Sequence, residues 1–323
     1  MGKLESSVSY GDLQDSYHEM LRKDAEHLSQ TGRLPGIRFG FSAIDDYTLG
    51  MRPDEGDSMI LAGAPGSGKT STAMAALRMY GLSELQYSEP KYSEFWSLEM
   101  GKRFVASRYM QMMSRATQDY LRMGMKVGEV DELFKKYADK ERDLPALINF
   151  SHSPKLEEIR EGVARSQEKN NVHVAVFDHL NMLRLANESR DKMQAQEDRI
   201  RFVVDRIAKE LGVAVIVIAH SRKAAADRED KTPQMNDLSG SQQLSGAVDF
   251  LGFIYRPITT ATSDQVKQGI FSNEEAYLVW RKNRYGDQGS PRFVFDGKHM
   301  SITDYGKSPM KQVAVERQKE IWG

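Results

Sequence analysis

Residues 61–72 read Leu-Ala-Gly-Ala-Pro-Gly-Ser-Gly-Lys-Thr-Ser-Thr. This stretch fits the spacing Gly, four residues, Gly-Lys-Thr of a phosphate-binding loop. The apolar run 59–64 predicts a buried strand before the loop, and residues 72–80 predict a helix after it. Glycines let successive backbone N–H groups converge on a phosphate, and the following helix adds the positive end of its dipole. Glycine-rich turns also join strands to helices without any ligand, but the Lys-Thr pair and both flanking elements favour nucleotide binding.

The loop predicts two cofactors, ATP and Mg²⁺. Lys69 is expected to reach the β- and γ-phosphates, and the Thr70 hydroxyl is expected to hold Mg²⁺. The residues expected to contact the nucleotide are Gly63, Ala64, Pro65, Gly66, Ser67, Gly68, Lys69, Thr70 and Ser71.

The composition bounds the class of protein. The chain has 323 residues, 40% of them hydrophobic, which suits one large α/β domain with a small appendage. No apolar run is long enough to span a bilayer, and there is no signal peptide, so we expect an intracellular protein without a membrane partner. The absence of cysteine excludes disulfides and cysteine-ligated zinc. A formal net charge of −1 excludes a broad basic surface, so any nucleic-acid contact must be local.

Predicted strands and helices alternate along the chain, which predicts a mostly parallel, twisted sheet with helices on both faces. The first helix, 9–31, is amphipathic; its pattern fits equally a helix packed on its own domain and an arm docked on a neighbouring subunit. The other predicted helices are 72–80, 101–125, 130–139, 154–169 and 192–211, and the predicted strands are 59–64, 94–98, 145–150, 172–177, 213–219, 249–255, 276–281 and 292–296.

Three residues at predicted strand ends are candidates for the chemistry. Asp178 follows the run 172–177, where a parallel sheet places the carboxylate that holds Mg²⁺; a helix cap is the alternative. Glu99 is a candidate general base for an attacking water, and its alternative is an exposed loop carboxylate. His220 is a candidate sensor of the γ-phosphate, and its alternative is a buried structural histidine.

Two basic residues, Lys282 and Arg284, follow the predicted strand 276–281. A mechanism that explains such a cluster is an arginine inserted into the neighbouring subunit's site, where it neutralises charge in the transition state. The alternative is a solvated basic turn. In the first case, single subunits should be poor enzymes.

Taken together, the motifs resemble the helicase domain of DnaB-type replicative helicases, the RecA-like motors of superfamily 4 that work as hexameric rings. The likeness runs from about residue 36 to residue 304. Besides the phosphate loop, it rests on the stretches 97–100 (Ser-Leu-Glu-Met), 176–180 (Val-Phe-Asp-His-Leu), 217–220 (Val-Ile-Ala-His), 237–241 (Asp-Leu-Ser-Gly-Ser) and 282–286 (Lys-Asn-Arg-Tyr-Gly).

The resemblance assigns roles to matching positions. It implies that Glu99 is the catalytic glutamate, Asp178 the Mg²⁺ aspartate, and Lys282 with Arg284 the trans-acting pair. His220 stands where the phage primase–helicase branch often has histidine, and it would link hydrolysis to the adjacent DNA loop. Arg256 matches a family arginine near the nucleotide base or sugar.

The resemblance places DNA in the central channel of a ring. One of the two DNA loops would be 221–241, in which Asp227, Glu229 and Asp230 offset most of the basic charge. Six copies would sum even a small excess, although the composition fits a merely solvated loop as well. The residues expected to contact DNA are Arg222, Lys223, Arg228, Lys231, Gly240 and Ser241.

The chain departs from the family pattern at two places. Ser239 occupies a position that is usually basic, and only the helix 9–31 precedes the motor. That helix matches the family's linker helix, which favours docking on the next subunit. We therefore expect a linker segment 1–35, a RecA-like ATPase domain 36–304 and a tail 305–323. A compact helicase from a phage or mobile element would need priming from another chain.

We therefore expect an ATP-driven hexameric DNA helicase that translocates on one strand and unwinds forked DNA in a bacterial or phage-infected cell, with the 5′-to-3′ polarity that the resemblance implies. Partners would include a separate primase, loader or single-strand-binding protein. One alternative is a RecA-like recombination ATPase that forms open filaments. Another is a nucleotide-switched loader or platform without unwinding activity.

Overall fold

Three strands of small and β-branched residues form the centre of the sheet: β1 (Ser58–Gly63), β4 (Val172–Asp178) and β5 (Ala214–His220). Nearly every residue in them is buried, as expected for parallel strands with helices on both sides. The computed structural model describes residues 9–32, 35–123, 125–138, 141–221, 228–238, 241–268 and 270–305, without the side chains of 138 and 241–243.

The described residues form one sheet with the strand order β3-β2-β4-β5-β1-β6-β7-β8-β9. The strands from β3 to β6 in this order are parallel, and β7, β8 and β9 continue the sheet in antiparallel fashion. The carboxyl ends of the parallel strands therefore share one edge, where open α/β sheets bind ligands. The remaining strands are β2 (Tyr92–Ser97), β3 (Ala146–Phe150), β6 (Phe250–Tyr255), β7 (Glu275–Asn283), β8 (Arg292–Asp296) and β9 (Ser301–Asp304).

Helices cover both faces of the sheet, as predicted. Met74 and Leu77 of α3 belong to the core on one face, and Ile159 of α7 and Ile200 of α8 belong to the core on the other. The α-helices are α1 (Tyr10–Thr31), α2 (Ser42–Thr48), α3 (Lys69–Glu84), α4 (Lys102–Ser114), α5 (Gln118–Arg122), α6 (Val127–Leu133), α7 (Leu156–Asn170), α8 (Lys192–Phe202), α9 (Ser241–Ala247) and α10 (Ser263–Lys267). Short 3₁₀ turns lie at Leu180–Met182, Met235–Asp237 and Pro257–Thr259.

The region 101–125, predicted to be mostly helical, contains the two helices α4 and α5. Arg115 takes a left-handed conformation, with φ of 54°, which ends α4 and separates it from α5. Elsewhere the helix predicted over 192–211 begins as α8 and continues as a π-helix, Val203–Lys209, and α6 likewise runs into the π-helix Phe134–Ala138. The helices α2 and α10 and the strand β9 were not predicted, because each is too short to show a period.

The chain divides into two compact units, Met1–Gly36 and Ile37–Gly323. In the first, the side chain of Ser9 accepts a hydrogen bond from the backbone N–H of Asp12, which caps α1, and Gly32 ends the helix with φ of 66°. Tyr17 and Leu21 of α1 are exposed. The predicted tail lies outside the described residues from 306 onward. Within the described residues, no helix is both long and apolar enough to cross a membrane.

Candidate active site

The phosphate-binding loop turns sharply between β1 and α3, and its glycines are required by the local geometry. Gly68 caps α3 with φ of 99°, and a Cβ there would lie 2.7 Å from the ring of Phe295. A Cβ on Gly63 would lie 2.6 Å from the Ser67 hydroxyl and 2.8 Å from the carbonyl oxygen of Ile254. Larger residues at these two positions would displace the loop.

Lys69, the first residue of α3, is buried beneath the loop. Its Nζ donates to the carbonyl oxygens of Gly63 (2.9 Å) and Ala64 (2.8 Å). Burial lowers the pKa of Lys69 to about 8, while the nearby carboxylates of Asp178 and Glu99 raise it. The ammonium group is thus held in a site where an anionic phosphate would replace neutral carbonyl partners and favour the charged form.

Thr70 and Asp178, which are 108 positions apart in sequence, meet at the carboxyl edge. The Thr70 hydroxyl donates to Oδ2 of Asp178 at 2.9 Å. Burial raises the pKa of Asp178 to about 6, whereas the Thr70 hydrogen bond lowers it. A hydroxyl and a carboxylate side by side are hard oxygen ligands, so this pair fits Mg²⁺.

Glu99 follows β2 at the same edge, with 56% of its side chain exposed. Its Oε2 lies 3.3 Å from Nε2 of His179, which follows Asp178. The other ring nitrogen of His179, Nδ1, accepts the backbone N–H of Asn181 at 3.3 Å, so the proton of a neutral ring sits on Nε2 and faces Glu99. Burial and the neighbouring His220 lower the pKa of His179 to about 4, so the ring is neutral at physiological pH.

His220 ends β5 beside this pair. Its ring centroid lies 4.5 Å from that of His179, with an interplanar angle of 77°. Burial and then Lys69 lower the pKa of His220, and its buried Nδ1 has no hydrogen-bond partner among the described residues. One donor atom from each of Glu99, His179 and His220 lies within 4.8 Å of the others, a spacing that a metal ion could bridge. The proton on Nε2 of His179 argues against that use, because a metal ligand must offer a free lone pair.

A cavity of about 370 Å³ lies over the loop, a size common for ligand sites. Arg256 forms part of its wall: its guanidinium lies 4.6 Å above the ring of Phe295, and Nη2 donates to the carbonyl oxygen of Asn273 at 2.8 Å. The lining residues are Pro65, Gly66, Gly68, Lys69, Thr70, Ser71, Glu99, Arg108, Asp178, His220, Arg256, Phe295, Gly297 and Met300. Ala64 and Ser67 face a neighbouring cavity of about 520 Å³ instead.

Sequence reasoning missed Phe295 and Arg108. Arg108 lies on α4, and it is close enough to Asp178 and Glu99 for their charges to raise its pKa, although burial lowers that pKa more strongly. Phe295 comes from β8, which pairs in antiparallel fashion with β7 and β9. The position of α4, which begins shortly after β2 at the carboxyl edge, could have pointed to Arg108. No local sequence pattern marks Phe295.

The predicted basic turn lies at the opposite edge of the sheet. Nζ of Lys282 donates to the carbonyl oxygens of Ser245 (2.7 Å) and Val248 (2.6 Å). Nη1 of Arg284 donates to Oδ1 of Asp249 at 2.7 Å, and Oδ2 of Asp249 accepts the backbone N–H of Ser58, the first residue of β1. Within one chain, therefore, the structure does not bring Lys282 and Arg284 to the phosphate-binding loop.

The predicted DNA contacts fall on a partly described segment. Arg228 makes a two-pronged ion pair with Asp237, at 2.9 and 2.6 Å, so its charge is balanced within the chain. Lys231 lines the cavity of about 520 Å³. Ser241 is the first residue of α9, and Arg222, Lys223 and Gly240 lie outside the described residues.

The family profile described as DnaB-like helicase C terminal domain matches residues 36–304. Two similar relatives are named replicative DNA helicase DnaB. That of Mycoplasma pneumoniae (strain ATCC 29342 / M129 / Subtype 1) is 27% identical over 286 residues, which is 87% of this chain and 60% of the relative. That of Rickettsia typhi (strain ATCC VR-144 / Wilmington) is 25% identical over 323 residues, which is 94% of this chain and 64% of the relative.

Two solved structures share the fold. The ATPase domain of G40P matches with a TM-score of 0.75 at 20% identity, over 93% of this chain and all of that one. A DnaB-like replicative helicase, solved in a study of its interactions with primase, matches with a TM-score of 0.74 at 19% identity, over 94% of this chain and 68% of that one. These matches confirm the predicted RecA-like ATPase fold.

The chain spans about three-fifths of the length of the curated relatives. The predicted resemblance is confirmed, since the profile covers most of the 323 residues. The protein belongs to the DnaB-like helicase C-terminal domain family.

Proposed function

We propose that this chain is the ATP-hydrolysing motor of a hexameric replicative DNA helicase that moves 5′ to 3′ on one strand and unwinds forked DNA. The observation that carries the proposal is the split of the expected catalytic residues between two edges of one sheet. Lys69, Thr70, Asp178 and Glu99 surround a cavity at the carboxyl edge, and Arg284 lies at the amino edge.

The distance between the edges supports a site shared by two subunits. Arg284 is bonded to Asp249 beside the start of β1, and Lys69 is bonded to Gly63 at the end of β1. The six residues of β1 separate the two points by roughly 17 Å along the strand, at about 3.3 Å per residue. An arginine side chain cannot cover that distance, so Arg284 would serve the triphosphate of a neighbouring copy.

The residues at the carboxyl edge can perform hydrolysis once ATP is bound. Lys69 would exchange its two carbonyl partners for phosphate oxygens, and Thr70 with Asp178 would hold Mg²⁺, which neutralises phosphate charge. Glu99, held beside the neutral His179, would take a proton from the attacking water. His220, between this cluster and the segment that follows β5, would report the state of the γ-phosphate.

The wall of the cavity would hold the rest of the nucleotide. The guanidinium of Arg256, which lies over the buried ring of Phe295, offers a flat surface beside the loop that is suited to stacking on a base or packing on a sugar. In the same proposal, the segment 221–241 lies toward DNA. Arg228 in that segment is already paired with Asp237, so it would contribute less to the grip on DNA than its charge suggests.

Assembly and partners complete the proposal. Residues 1–35 would dock on the next subunit through the apolar face of α1, where Leu13, Tyr17 and Leu21 are exposed. The motor would work in the cytoplasm of a bacterial or phage-infected cell, with a separate primase, loader or single-strand-binding protein.

A forked-duplex unwinding assay, with particle size and shape measured in the same buffer, tests the proposal. We expect strand separation that requires ATP and Mg²⁺, DNA-stimulated hydrolysis, and closed six-membered rings by electron microscopy. Open filaments would support a recombination ATPase instead. Nucleotide binding without DNA-stimulated hydrolysis would support a loader or platform, and either result would reject the helicase proposal.

A further inference from the structure

Four consecutive side chains of the basic turn are each bonded to residues elsewhere in the same chain. Lys282 is bonded to the carbonyl oxygens of Ser245 and Val248. Asn283 donates to the carbonyl oxygen of Tyr47 at 2.8 Å, Arg284 pairs with Asp249, and the Tyr285 hydroxyl donates to Asp57 at 2.9 Å. A solvated basic turn needs none of these contacts, so the turn is built to hold one shape.

Asp249 is the centre of this arrangement. Its two carboxylate oxygens serve different partners: Oδ1 accepts from Nη1 of Arg284 at 2.7 Å, and Oδ2 accepts from the backbone N–H (3.0 Å) and hydroxyl (2.7 Å) of Ser58. The backbone carbonyl of Asp249 also accepts the backbone N–H of Arg284 at 3.1 Å. The backbone N–H of Ser58, which does not depend on the Ser58 side chain, thus anchors one carboxylate oxygen, and the other oxygen holds the arginine.

The remainder of Arg284 points outward. Its side chain is 64% exposed, whereas that of Asp249 is 11% exposed. A guanidinium has five N–H donors, and the bond to Asp249 uses one of them. Most of the guanidinium N–H groups therefore remain available to a group outside this subunit, while Nη1 is held by Asp249.

We propose that Asp249 is the positioning residue for Arg284, holding its guanidinium in the direction needed to enter the neighbouring subunit's site. This inference rests on the proposed function, in which Arg284 acts in trans. Because Asp249 lies between α9 and β6, and Lys282 binds the end of α9, the segment 245–249 holds both members of the basic pair.

The alternative is that Asp249 only ties the start of β1 to the start of β6. That role would act through the fold of its own subunit and would not depend on Arg284. The variant Asp249→Asn tests the pair, since it keeps the shape and removes the charge. The matched control is Ser58→Ala, which deletes one donor to the other oxygen and leaves the Arg284 contact intact.

We expect Asp249→Asn to lower kcat for DNA-stimulated ATP hydrolysis by about three- to tenfold, the cost of ordering one long side chain at the moment of reaction. The KM for ATP should change little, because the nucleotide contacts lie at the other edge. The melting temperature should also change little, because the amide oxygen of the substituted side chain can still accept from Ser58. Ser58→Ala should keep near wild-type kcat. Equal losses in the two variants would overturn the proposal.

Mixed assemblies show whether Asp249 supports its own subunit's nucleotide site or that of the neighbouring subunit. Mixed with Glu99→Gln, which has an intact arginine turn, Asp249→Asn should hydrolyse ATP faster than the mean of the two separate preparations. Mixed with Arg284→Ala, it should hydrolyse ATP only at the mean rate of those two separate preparations. Every subunit interface in that mixture has an arginine that is either misplaced or absent. The reverse pattern would show that Asp249 supports its own subunit's nucleotide site, and it would overturn the proposal.

A reference mixture of Glu99→Gln with Arg284→Ala tests the trans action of Arg284 separately from the positioning role of Asp249. If that mixture gains no activity, trans action fails and the proposed function fails with it. If it gains activity and Asp249→Asn does not behave as Arg284→Ala does, only the role of Asp249 is rejected. If Asp249→Asn melts well below the wild type, Asp249→Glu replaces it in the same mixtures, because it displaces the carboxylate while keeping its charge.

Discussion

The two edges of the sheet carry similar charges in opposite settings. At the carboxyl edge, Lys69 and Asp178 are buried beside a cavity. Burial lowers the pKa of Lys69 to about 8 and raises the pKa of Asp178 to about 6, so it disfavours the charged form of both. At the amino edge, Arg284 is largely exposed and bonded to one carboxylate. The first arrangement suits a ligand that brings its own charge inside, and the second suits a cation presented outward. In the proposed function, each edge would be half of a site shared by two identical copies.

The largest effect is expected at the carboxyl edge. Lys69→Ala should abolish ATP hydrolysis and unwinding, because a fixed positive charge at the transferred phosphoryl group is removed. Nucleotide affinity should fall as well. Filter binding and steady-state hydrolysis measure the two losses, with Lys267→Ala on the exposed face of α10 as the control. Wild-type turnover in Lys69→Ala would reject the assignment of this edge.

A smaller effect is expected from the histidine beside the candidate base. His179→Phe should lower kcat about ten- to hundredfold, because a misplaced general base loses near-attack geometry. Nucleotide affinity should be unchanged. His179→Gln offers a side-chain N–H and should retain more turnover than His179→Phe. Equal activity in the two variants would mean that the 3.3 Å contact with Glu99 has no role in hydrolysis.

The smallest predicted effect is a pH dependence of binding. The pKa of Lys69 is about 8 in the free protein, and a bound phosphate would raise it. Above pH 8 the free protein loses this proton and binding must restore it, so affinity should fall by up to about tenfold per pH unit. Fluorescent nucleotide titrations between pH 7 and 9.5 measure the slope. Lys69→Arg stays charged and should show no such decline.

The sequence alone predicts some features of the two edges and misses others. The buried strands were predicted well, because β1, β4 and β5 are short apolar runs bounded by turn residues. Thr70 and Asp178, both expected to hold Mg²⁺, lie together, since the carboxyl ends of parallel strands must share an edge.

Other features depend on contacts that no local pattern encodes. Phe295 reaches the phosphate-binding loop through antiparallel strands added to the far side of the sheet. The pairing of Arg228 with Asp237 arises in a segment without periodicity, where charge counts do not reveal partners. The same holds for Arg284 and Asp249, 35 positions apart.

Complementation between two inactive variants tests the shared site most directly. Glu99→Gln and Arg284→Ala should each bind nucleotide and DNA, and each should lose turnover, by about 10³- to 10⁵-fold for the arginine. An equimolar mixture, dissociated and reassembled, should recover roughly a quarter of wild-type hydrolysis if the subunit interfaces act independently. In random assembly, about a quarter of the interfaces combine an intact Glu99 with an intact Arg284. A mixture no faster than either variant alone, with binding and assembly intact, would contradict the account.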